Sequence, residues 1–385
     1  MVSNKTRILI FVDWYVPAFK AGGPIRSVYN LISKFKSDYE FYVITSDRDL
    51  GDDEPFLNIE TNKWTDVEGV QVMYLSPANF KIKEFKKFIS EVNPHIVYLN
   101  SLFSFNFTLV PLWLKKHFPD TKYILAPRGM LGKGALNIKK KKKEVFIVLA
   151  RLVKLYKGIV WHATNELERD QIFATFGKQS TVIVADNIAS SPLYPEEEIL
   201  KRKINDLEVK RFLFVGRITR IKNVDLMIQW FQGLDKDHQN YTLDIYGSLE
   251  DKKYHKELLE LIGDNSKIQL LKEVHHVELN EIYGRSHFFM LPTKGENFGH
   301  VIIESLSYGC PVIISDKTPW RKLEQMGIGW DLPLDKPELF IETIQQCIKM
   351  KEQEYLPYTL KAFNFAQNYI NRRILITAYR KLLSA

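Results

Sequence analysis

Short apolar runs of the kind that form buried strands alternate along this chain with longer stretches whose apolar residues recur at helical spacing. In the first half the pattern predicts strands at residues 7–12, 39–45, 70–75, 96–99, 122–126, 160–163 and 181–185. In the second half it predicts strands at residues 212–215, 242–246, 268–271, 288–291 and 312–314. Helices are expected between the strands, so each half is predicted to be an α/β domain with a doubly wound parallel sheet.

The pattern also predicts where one domain ends and the next begins. Residues 187–197 contain two prolines and are expected to link a first domain of residues 1–187 to a second domain of residues 188–357. Apolar positions at helical spacing over residues 358–383 predict a long terminal helix within residues 358–385. The chain has 385 residues and is 45% apolar, which is enough for two domains with a full core each.

The most specific chemical signal lies at residues 292–314, where a loop leads into a predicted helix over residues 300–308. The backbone amides of Phe298 and Gly299 at the start of this helix, together with the helix dipole, favour an anion such as a diphosphate. Glu296 precedes the helix and Glu304 lies within it. Carboxylates beside an anion site are explained best as acceptors for neutral sugar hydroxyls, although each residue alone is also compatible with an ordinary helix start.

This Glu-x7-Glu pattern resembles the C-terminal signature of retaining glycosyltransferases of family 4, which have the GT-B fold. The resemblance continues upstream, where a predicted strand ends in Gly216-Arg217 and Lys222-Asn223 opens the next helix. It covers residues 211–349 closely and the first domain only by architecture. It implies two Rossmann-like domains that face each other across a cleft, with the acceptor bound by the first and a nucleotide-diphosphate sugar by the second. It also implies that the terminal helix packs back on the first domain, and that transfer retains configuration without a cofactor or a metal ion.

The resemblance assigns roles to particular residues. Arg217 and Lys222 are expected to neutralise the leaving diphosphate and Glu296 to orient the hexose hydroxyls, so these three are the predicted catalytic residues. The predicted donor-binding residues are Gly22, Gly23, Gly247, Val274, Asn297, Phe298, Gly299 and Glu304, of which Glu304 is expected to bind the ribose. His300 departs from the family, which more often has an aliphatic residue at this place.

Two loops of the first domain are further candidates. Gly22 and Gly23 lie between the first strand and the first helix, where they are either turn glycines or the glycine loop that many GT-B enzymes bring near the donor phosphates. Arg128 follows the fifth strand, where many family 4 enzymes have a histidine that reaches the transferred sugar. Its guanidinium is expected to hold the acceptor or a phosphate, with a surface arginine on a turn as the alternative.

Other classes of activity have less support. Asp47 and Asp49 form an Asp-x-Asp pattern that holds a divalent ion in metal-dependent transferases, but a solvated acidic loop explains them better. A catalytically silent nucleotide-sugar-binding subunit of a membrane-associated assembly is a second alternative. Neither half contains Gly-x-Gly-x-x-Gly or a Walker A pattern, which weakens nicotinamide and ATP chemistry.

The net charge of +8 has a local source. Residues 131–160 contain nine basic residues and one acid, Glu144, so this segment alone carries a net charge of +8. It includes the run Lys139, Lys140, Lys141, Lys142 and Lys143, which leads into a basic helix predicted over residues 145–159. Such a helix is typical of proteins that bind an anionic membrane surface, with a solvated face as the alternative. A basic surface confined to one segment, without a nucleic-acid-binding motif, argues against a nucleic-acid partner.

Together these observations predict a hexosyltransferase in the synthesis of a cell-surface polysaccharide such as a capsule, O-antigen or exopolysaccharide. Its donor is expected to be a UDP- or GDP-sugar, and its acceptor a saccharide or a lipid-linked saccharide. No apolar run approaches the ~20 residues of a membrane span, and Cys310 and Cys347 lie in apolar contexts that fit a reducing compartment. We therefore expect a cytoplasmic protein bound peripherally to the inner face of the plasma membrane.

Overall fold

The computed structural model describes residues 5–132, 135–136, 140–190, 192, 194–205, 207–234, 240–248, 251–274 and 276–384. The chain divides into two compact units. Unit 1 comprises Met1–Ile188 and Arg373–Ala385, and unit 2 comprises Ala189–Arg372. Each unit contains one sheet, with helices between most of the successive strands.

Unit 1 contains an eight-stranded sheet with the order β3-β4-β2-β1-β5-β6-β7-β8. Its strands are β1 (Arg7–Phe11), β2 (Glu40–Ser46), β3 (Trp64–Val67), β4 (Val70–Leu75), β5 (Ile96–Asn100), β6 (Lys122–Ala126), β7 (Val160–Ala163) and β8 (Thr181–Val184). Neighbouring strands are parallel except β3 and β4. Its first helices are α1 (Gly23–Phe35), α2 (Ile82–Val92), α3 (Val110–Leu114), α4 (Lys140–Leu152) and α5 (Glu166–Phe176).

The central strands of unit 1 are buried on both faces, which is why they are nearly continuous apolar runs. In β1, Leu9 and Phe11 belong to one core cluster, and Ile8 and Ile10 belong to another. Successive side chains of a strand point to opposite faces, so the two clusters lie on opposite sides of the sheet.

Unit 2 contains a six-stranded parallel sheet with the order β11-β10-β9-β12-β13-β14. Its strands are β9 (Lys210–Val215), β10 (Tyr241–Tyr246), β11 (Ile268–Leu271), β12 (Phe288–Leu291), β13 (Val312–Ser315) and β14 (Gly329–Leu332). Its helices are α6 (Glu196–Ile204), α7 (Val224–Gln232), α8 (Lys252–Ile262), α9 (His276–Arg285), α10 (His300–Ser307), α11 (Leu323–Met326), α12 (Pro337–Lys349) and α13 (Glu352–Asn371), after which α14 (Arg373–Leu382) belongs to unit 1. This strand order is that of a dinucleotide-binding fold, and the predicted doubly wound sheets are confirmed.

Two strands are absent from the prediction because neither is a plain apolar run. β3 is half-exposed and pairs antiparallel with β4 through a two-residue turn at Glu68 and Gly69, which both have positive φ. β14 begins at Gly329, where a Cβ would lie 2.1 Å from the carbonyl oxygen of Val312. Pairing with β13 therefore requires a glycine at a place where the sequence pattern suggests a loop.

The predicted terminal helix over residues 358–383 is wrong in one respect. The chain forms two helices, because Arg372 has an extended backbone with φ −62° and ψ 126°. α13 buries Tyr355 and Phe363 in the core of unit 2, whereas α14 buries Leu375 and Tyr379 in unit 1. Both helices have apolar faces at the same spacing, so periodicity alone does not show that they pack on different sheets.

The basic helix also differs from its predicted bounds. α4 begins at Lys140, so the described lysines of the run form its first turn instead of leading into it. The helix ends before Lys154, which has a left-handed φ of 52°. Leu155 donates its amide to the Ala150 carbonyl oxygen at 2.9 Å, a bond typical of a helix that closes on a left-handed residue. Lys133 and Lys139 lie outside the described residues.

Candidate functional site

The carboxyl ends of β9 and β12 lie side by side where the strand order of unit 2 reverses. β9 pairs with β10 on one side and β12 on the other. β9 leads into Gly216 and Arg217, and β12 leads into the loop that begins at Pro292. Ligands of open α/β sheets bind outside the carboxyl ends of the strands at such a switch point. The two segments that carry the predicted catalytic residues therefore leave the same edge of one sheet.

Hydrogen bonds hold the two loops against each other. The Lys294 amide donates to the Ile221 carbonyl oxygen at 2.7 Å. The side-chain amide of Asn223 donates to the Pro292 carbonyl oxygen at 2.8 Å, and Asn223 is buried with a left-handed φ of 51°. These two hydrogen bonds connect the first and last residues of the two segments, so residues 221–223 keep a fixed position relative to residues 292–294.

Two of the three predicted catalytic residues form an ion pair. The Lys222 ammonium group donates to a carboxylate oxygen of Glu296, and the two side chains are 18% and 17% exposed. At this low exposure the pair is screened less than a surface pair. Arg217 is exposed, and none of the described residues accepts a hydrogen bond from its guanidinium group.

The start of α10 has the geometry expected of an anion site. Gly299 precedes the helix with a left-handed φ of 78°, and a Cβ there would lie 2.8 Å from Ile302 Cδ1, so glycine is required. The backbone amides of Phe298 and Gly299 donate to no acceptor among the described residues. The Phe298 ring packs 5.6 Å from the Trp320 ring, so Phe298 presents its amide and not its side chain to a ligand.

The other predicted residues of this region are placed as follows. Glu304 is buried on α10, and Asn297 is half-buried in the loop before it. The ring of His300 lies 4.8 Å from that of Phe298, so an aromatic contact occupies the position that departs from the family. Val274 follows β11, two strands away from β9, and packs against the core of unit 2.

Two glycines, Gly216 and Gly247, lie at the strand ends next to Arg217. A Cβ on Gly247 would lie 1.8 Å from the Gly216 carbonyl oxygen, and Gly216 has a positive φ of 154°. The Gly216 amide donates to the Tyr246 carbonyl oxygen at 3.0 Å. Gly247 therefore permits β9 and β10 to approach closely where they end. Because Gly216 and Gly247 have no side chains, their backbone is open to a ligand at this edge of the sheet.

Arg128, in unit 1, is held by three neutral acceptors. Its Nε donates to Asn100 Oδ1 and its Nη2 to Tyr98 Oη, each at 3.1 Å, and its Nη1 donates to Asn187 Oδ1. The backbone has a left-handed φ of 55°. Three hydrogen bonds therefore hold the guanidinium in one position, and its role toward an acceptor or a phosphate stays a prediction. It uses three of its five N–H donors and has no carboxylate partner among the described residues.

A buried histidine supports Arg128 from behind. His162 Nε2 donates to the Ala185 carbonyl oxygen at 2.7 Å, so its Nδ1 accepts from Tyr98 Oη at 2.5 Å. Burial lowers the pKa of His162 to about 3, and the positive charge of Arg128 adds to this effect. The neutral imidazole therefore orients the Tyr98 hydroxyl, which in turn accepts from Arg128.

Two polar residues at the switch point of unit 1 were not predicted as site residues from the sequence. Asp13 follows β1 and accepts a hydrogen bond from Ser104 Oγ at 2.6 Å, and burial raises the pKa of its carboxyl group. Asn100 ends β5, the neighbour of β1, and its buried Nδ2 has no hydrogen-bond partner among the described residues. Each directly follows an apolar run, but the sheet order is needed to show that the two strand ends are adjacent.

The first part of the acidic loop after β2 is buried, so the prediction of a solvated loop is wrong for Asp47 and Asp49, whereas Asp52, Asp53 and Glu54 are exposed as predicted. Asp47 and Asp49 are 2% and 4% exposed. Arg48 donates to both oxygens of Asp47, and the Asp49 oxygens accept from the amides of Phe19, Lys20 and Leu50. All four carboxylate oxygens thus serve the protein itself, and Asp49 fixes the loop that leads to α1. Within the described ranges no group of three or more His, Cys, Asp or Glu residues is arranged to hold a metal ion.

The glycine loop that Asp49 supports opens α1. Gly22 has a left-handed φ of 66°, and no atom lies within 4 Å of where its Cβ would be. The amides of Ile25 and Arg26 donate to the Gly22 carbonyl oxygen, and Pro24 has no amide hydrogen. In the first turn this leaves the Gly23 amide to face a ligand.

A match to a known family covers most of unit 2. Residues 195–357 fit the family model described as Glycosyl transferases group 1. The matched residues include β9 to β14 and therefore both loops of the Lys222–Glu296 pair.

Similar proteins extend the likeness to the whole chain at the level of fold. An uncharacterized glycosyltransferase of Haemophilus influenzae is 24% identical over 54% of this chain and 69% of its own length. The capsular polysaccharide biosynthesis glycosyltransferase CapM of Staphylococcus aureus is 32% identical over 27% of each chain. The crystal structure of HepE of Anabaena in complex with UDP and glucose has a TM-score of 0.71 and 13% identity over 98% of both chains. The chain thus has the two-sheet GT-B fold.

Proposed function

Since residues 195–357 belong to the glycosyl transferases group 1 family and the chain has the GT-B fold, we propose that this glycosyltransferase is a retaining hexosyltransferase. It moves a hexose from a nucleotide-diphosphate sugar to a saccharide acceptor. The bond between the anomeric carbon and the β-phosphate oxygen breaks, and the acceptor oxygen bonds to the same face of the sugar. The acceptor proton passes to the departing diphosphate. The observation that carries the proposal is the Lys222–Glu296 ion pair at the switch point of unit 2.

The ion pair explains how a carboxylate can stand beside an anionic donor. Glu296 alone would repel the diphosphate, but contact with Lys222 cancels its charge. When the donor binds, the hexose hydroxyls donate to Glu296 while the ammonium group of Lys222 faces the diphosphate. Arg217, which is exposed and uncommitted among the described residues, adds a net positive charge beside the neutral pair. The amides of Phe298 and Gly299 add donors at the positive end of α10.

The remaining donor residues hold the nucleotide. Glu304 accepts hydrogen bonds from the ribose, and Asn297 adds a polar contact from the loop before α10. Gly247 lets the nucleotide approach the strand ends closely, and Val274 contributes backbone contacts beyond β11. Because Arg217, Lys222 and the helix amides together compensate the charge of the leaving diphosphate, transfer needs neither a metal ion nor a cofactor.

The acceptor binds to unit 1. Arg128 is oriented by three neutral oxygens and keeps two N–H donors for a phosphate or a sugar oxygen. Asp13 and Asn100 at the neighbouring strand ends offer an acceptor oxygen and a buried donor to hydroxyl groups. The Gly22–Gly23 loop before α1 offers the Gly23 amide to a phosphate or a hydroxyl group of a ligand.

The setting is the synthesis of a cell-surface polysaccharide, such as a capsule, O-antigen or exopolysaccharide, on a lipid-linked acceptor. The name of the relative CapM, a capsular polysaccharide biosynthesis glycosyltransferase, supports this pathway. We place the protein at the inner face of the plasma membrane, held by the exposed lysines of the run, Lys140, Lys141 and Lys142. A search of the described residues finds no helix that is long and apolar enough to span a membrane.

A ligand screen followed by product analysis tests the proposal. A UDP- or a GDP-sugar should raise the melting temperature of the full chain, since a ligand that binds only the folded state stabilises it. With that donor and a lipid-linked saccharide acceptor, transfer should persist in EDTA and the new linkage should have the anomeric configuration of the donor. An inverted product would overturn retention, and loss of transfer in EDTA would overturn metal independence. Donor binding without turnover on any acceptor would identify a catalytically silent subunit.

A further inference from the structure

Helix α4 presents an apolar ridge to solvent. Its members share the outer face of the helix and are 54% to 72% exposed: Val145, Val148, Leu149, Leu152 and Val153. The spacing of three, four, seven and eight residues from Val145 places all five on one side of an α-helix. Val153 extends the helical pattern by donating its amide to the Leu149 carbonyl oxygen at 3.0 Å.

The opposite side of α4 is anchored in unit 1. Ala150 is buried in the core, and the Phe146 ring packs 5.6 Å from the Phe103 ring. The Lys143 ammonium group donates to the Ala135 carbonyl oxygen at 2.7 Å and lies 5.2 Å from the centre of the Phe103 ring. The ridge is therefore exposed because the helix already uses its other face for packing.

Positive charges stand at both ends of the ridge. By helical spacing, Lys141 and Lys142 continue the ridge at its N-terminal end. Lys154 and Lys157 follow in the chain directly after the last turn of the helix, and all four lysines are exposed. Glu144 is the only acid of residues 131–160, and its carboxylate lies 3.9 Å from the Lys140 ammonium group. An apolar face with basic ends is complementary to a bilayer, whose acyl region lies directly below anionic headgroups. A second copy of the chain fits less well, because an isologous contact would bring the basic ends together.

We propose that α4 lies in the plane of an anionic bilayer with the ridge in the headgroup–acyl boundary and its terminal lysines on the lipid phosphates. The ridge adds apolar insertion to the attraction of the lysines, so attachment does not depend on charge alone. The choice of a membrane-linked acceptor rests on the proposed function, but the docking surface itself does not.

The position of α4 also connects the bilayer to the polar site of unit 1. Phe103, which packs against Phe146, immediately precedes Ser104, and Ser104 donates to Asp13 at the end of β1. The helix that we assign to the membrane thus packs on the loop that carries the Asp13–Ser104 contact. A saccharide tethered to a lipid would reach this edge without leaving the bilayer.

Vesicle binding by the full chain tests the proposal. The ridge variant is Val148→Ser/Leu149→Ser/Leu152→Ser, which changes only exposed side chains and leaves the folded core intact. Its binding to phosphatidylglycerol–phosphatidylcholine vesicles should weaken at least ~10-fold. Lys141→Gln/Lys142→Gln/Lys154→Gln should weaken it on the order of 100-fold, about fivefold per lysine. The matched control Leu167→Ser/Ile374→Ser removes exposed apolar side chains from α5 and α14 and should bind as the wild type does.

A fluorescent probe distinguishes insertion from simple proximity. Cys310 and Cys347 are fully buried, so an environment-sensitive dye on Leu152→Cys labels the ridge alone. Its emission should shift to the blue with anionic vesicles and stay unchanged with pure phosphatidylcholine. Equal vesicle binding by the ridge variant and the wild type, or no dye shift, would overturn the proposal. So would a wild-type dimer in solution that the ridge variant dissociates. Binding of the nucleotide sugar, measured without vesicles, should be the same in all variants, and its absence from the wild type would refute the proposed function while leaving the docking result intact.

Discussion

Replacing Lys222 with methionine removes the ammonium group but keeps an unbranched side chain of similar length. Glu296 then loses its partner, although it is only 17% exposed. In the proposed reaction the lone carboxylate also faces the diphosphate without compensation. We therefore expect Lys222→Met to damage catalysis more than it damages folding.

The exposure of the pair determines the expected loss of folding stability. A surface pair contributes about 0–1 kcal/mol, whereas removing one partner of a fully buried pair costs about 3–5 kcal/mol. The Lys222–Glu296 pair lies between these limits, so we expect a loss of about 2 kcal/mol, or roughly 4–8 °C in the melting temperature of a domain of this size. Loss of a charge that stabilises the leaving group should lower kcat by about 10²–10³-fold, which is roughly 3–4 kcal/mol. The catalytic loss should exceed the loss of stability.

Steady-state kinetics and thermal unfolding on the same samples separate the two effects. Lys222→Arg should recover part of the turnover, and Lys222→Met/Glu296→Gln should be less impaired than the sum of the single variants, with a coupling of about 1–3 kcal/mol. Lys294→Met replaces an exposed lysine in the loop that carries Glu296. This variant is the control, and it should change neither kcat nor the melting temperature. If Lys222→Met melts at a lower temperature but keeps its kcat, the pair is structural and the reasoning is wrong.

Three further variants test other parts of the structure. Glu304→Gln should weaken nucleotide binding by ~1–2 kcal/mol in calorimetry, and an unfolded variant would indicate a purely structural glutamate. Asp49→Ala leaves the backbone amides of Phe19, Lys20 and Leu50 without their carboxylate acceptor and should cost roughly 2–4 kcal/mol in urea unfolding. The control Asp52→Ala, at an exposed carboxylate, should cost little. His162 has a lowered pKa, so its neutral form contributes stability that is fully present above about pH 6.5 and is lost as the pH falls toward 3. At pH 4 the free energy of unfolding should be lower by roughly 3 kcal/mol for this reason. A His162→Gln variant lacks the titrating group, so if its free energy of unfolding depends on pH as in the wild type, the assignment to His162 is wrong.

Most of the strands could be predicted because a parallel strand that is buried on both faces has to be a nearly continuous apolar run. β4, β6, β11 and β12 have the bounds that the pattern predicts. The pattern fails where another requirement decides the conformation. At Gly329 the approach of β13 requires a glycine, and at Arg372 the division between two cores breaks a helix that is otherwise periodic.

The amino-acid sequence by itself determined the two doubly wound sheets and drew attention to Lys222, Glu296 and Glu304, because strand runs and helix starts are local patterns. Only the tertiary structure decided that Lys222 contacts Glu296, since β9 and β12 are far apart in the chain and adjacent in the sheet. The same reason explains why Asp13 was missed. Burial is likewise a property of neighbours from distant segments. It made Asp49 a structural carboxylate and left the ridge of α4 exposed, although both look like ordinary charged or apolar stretches in the sequence.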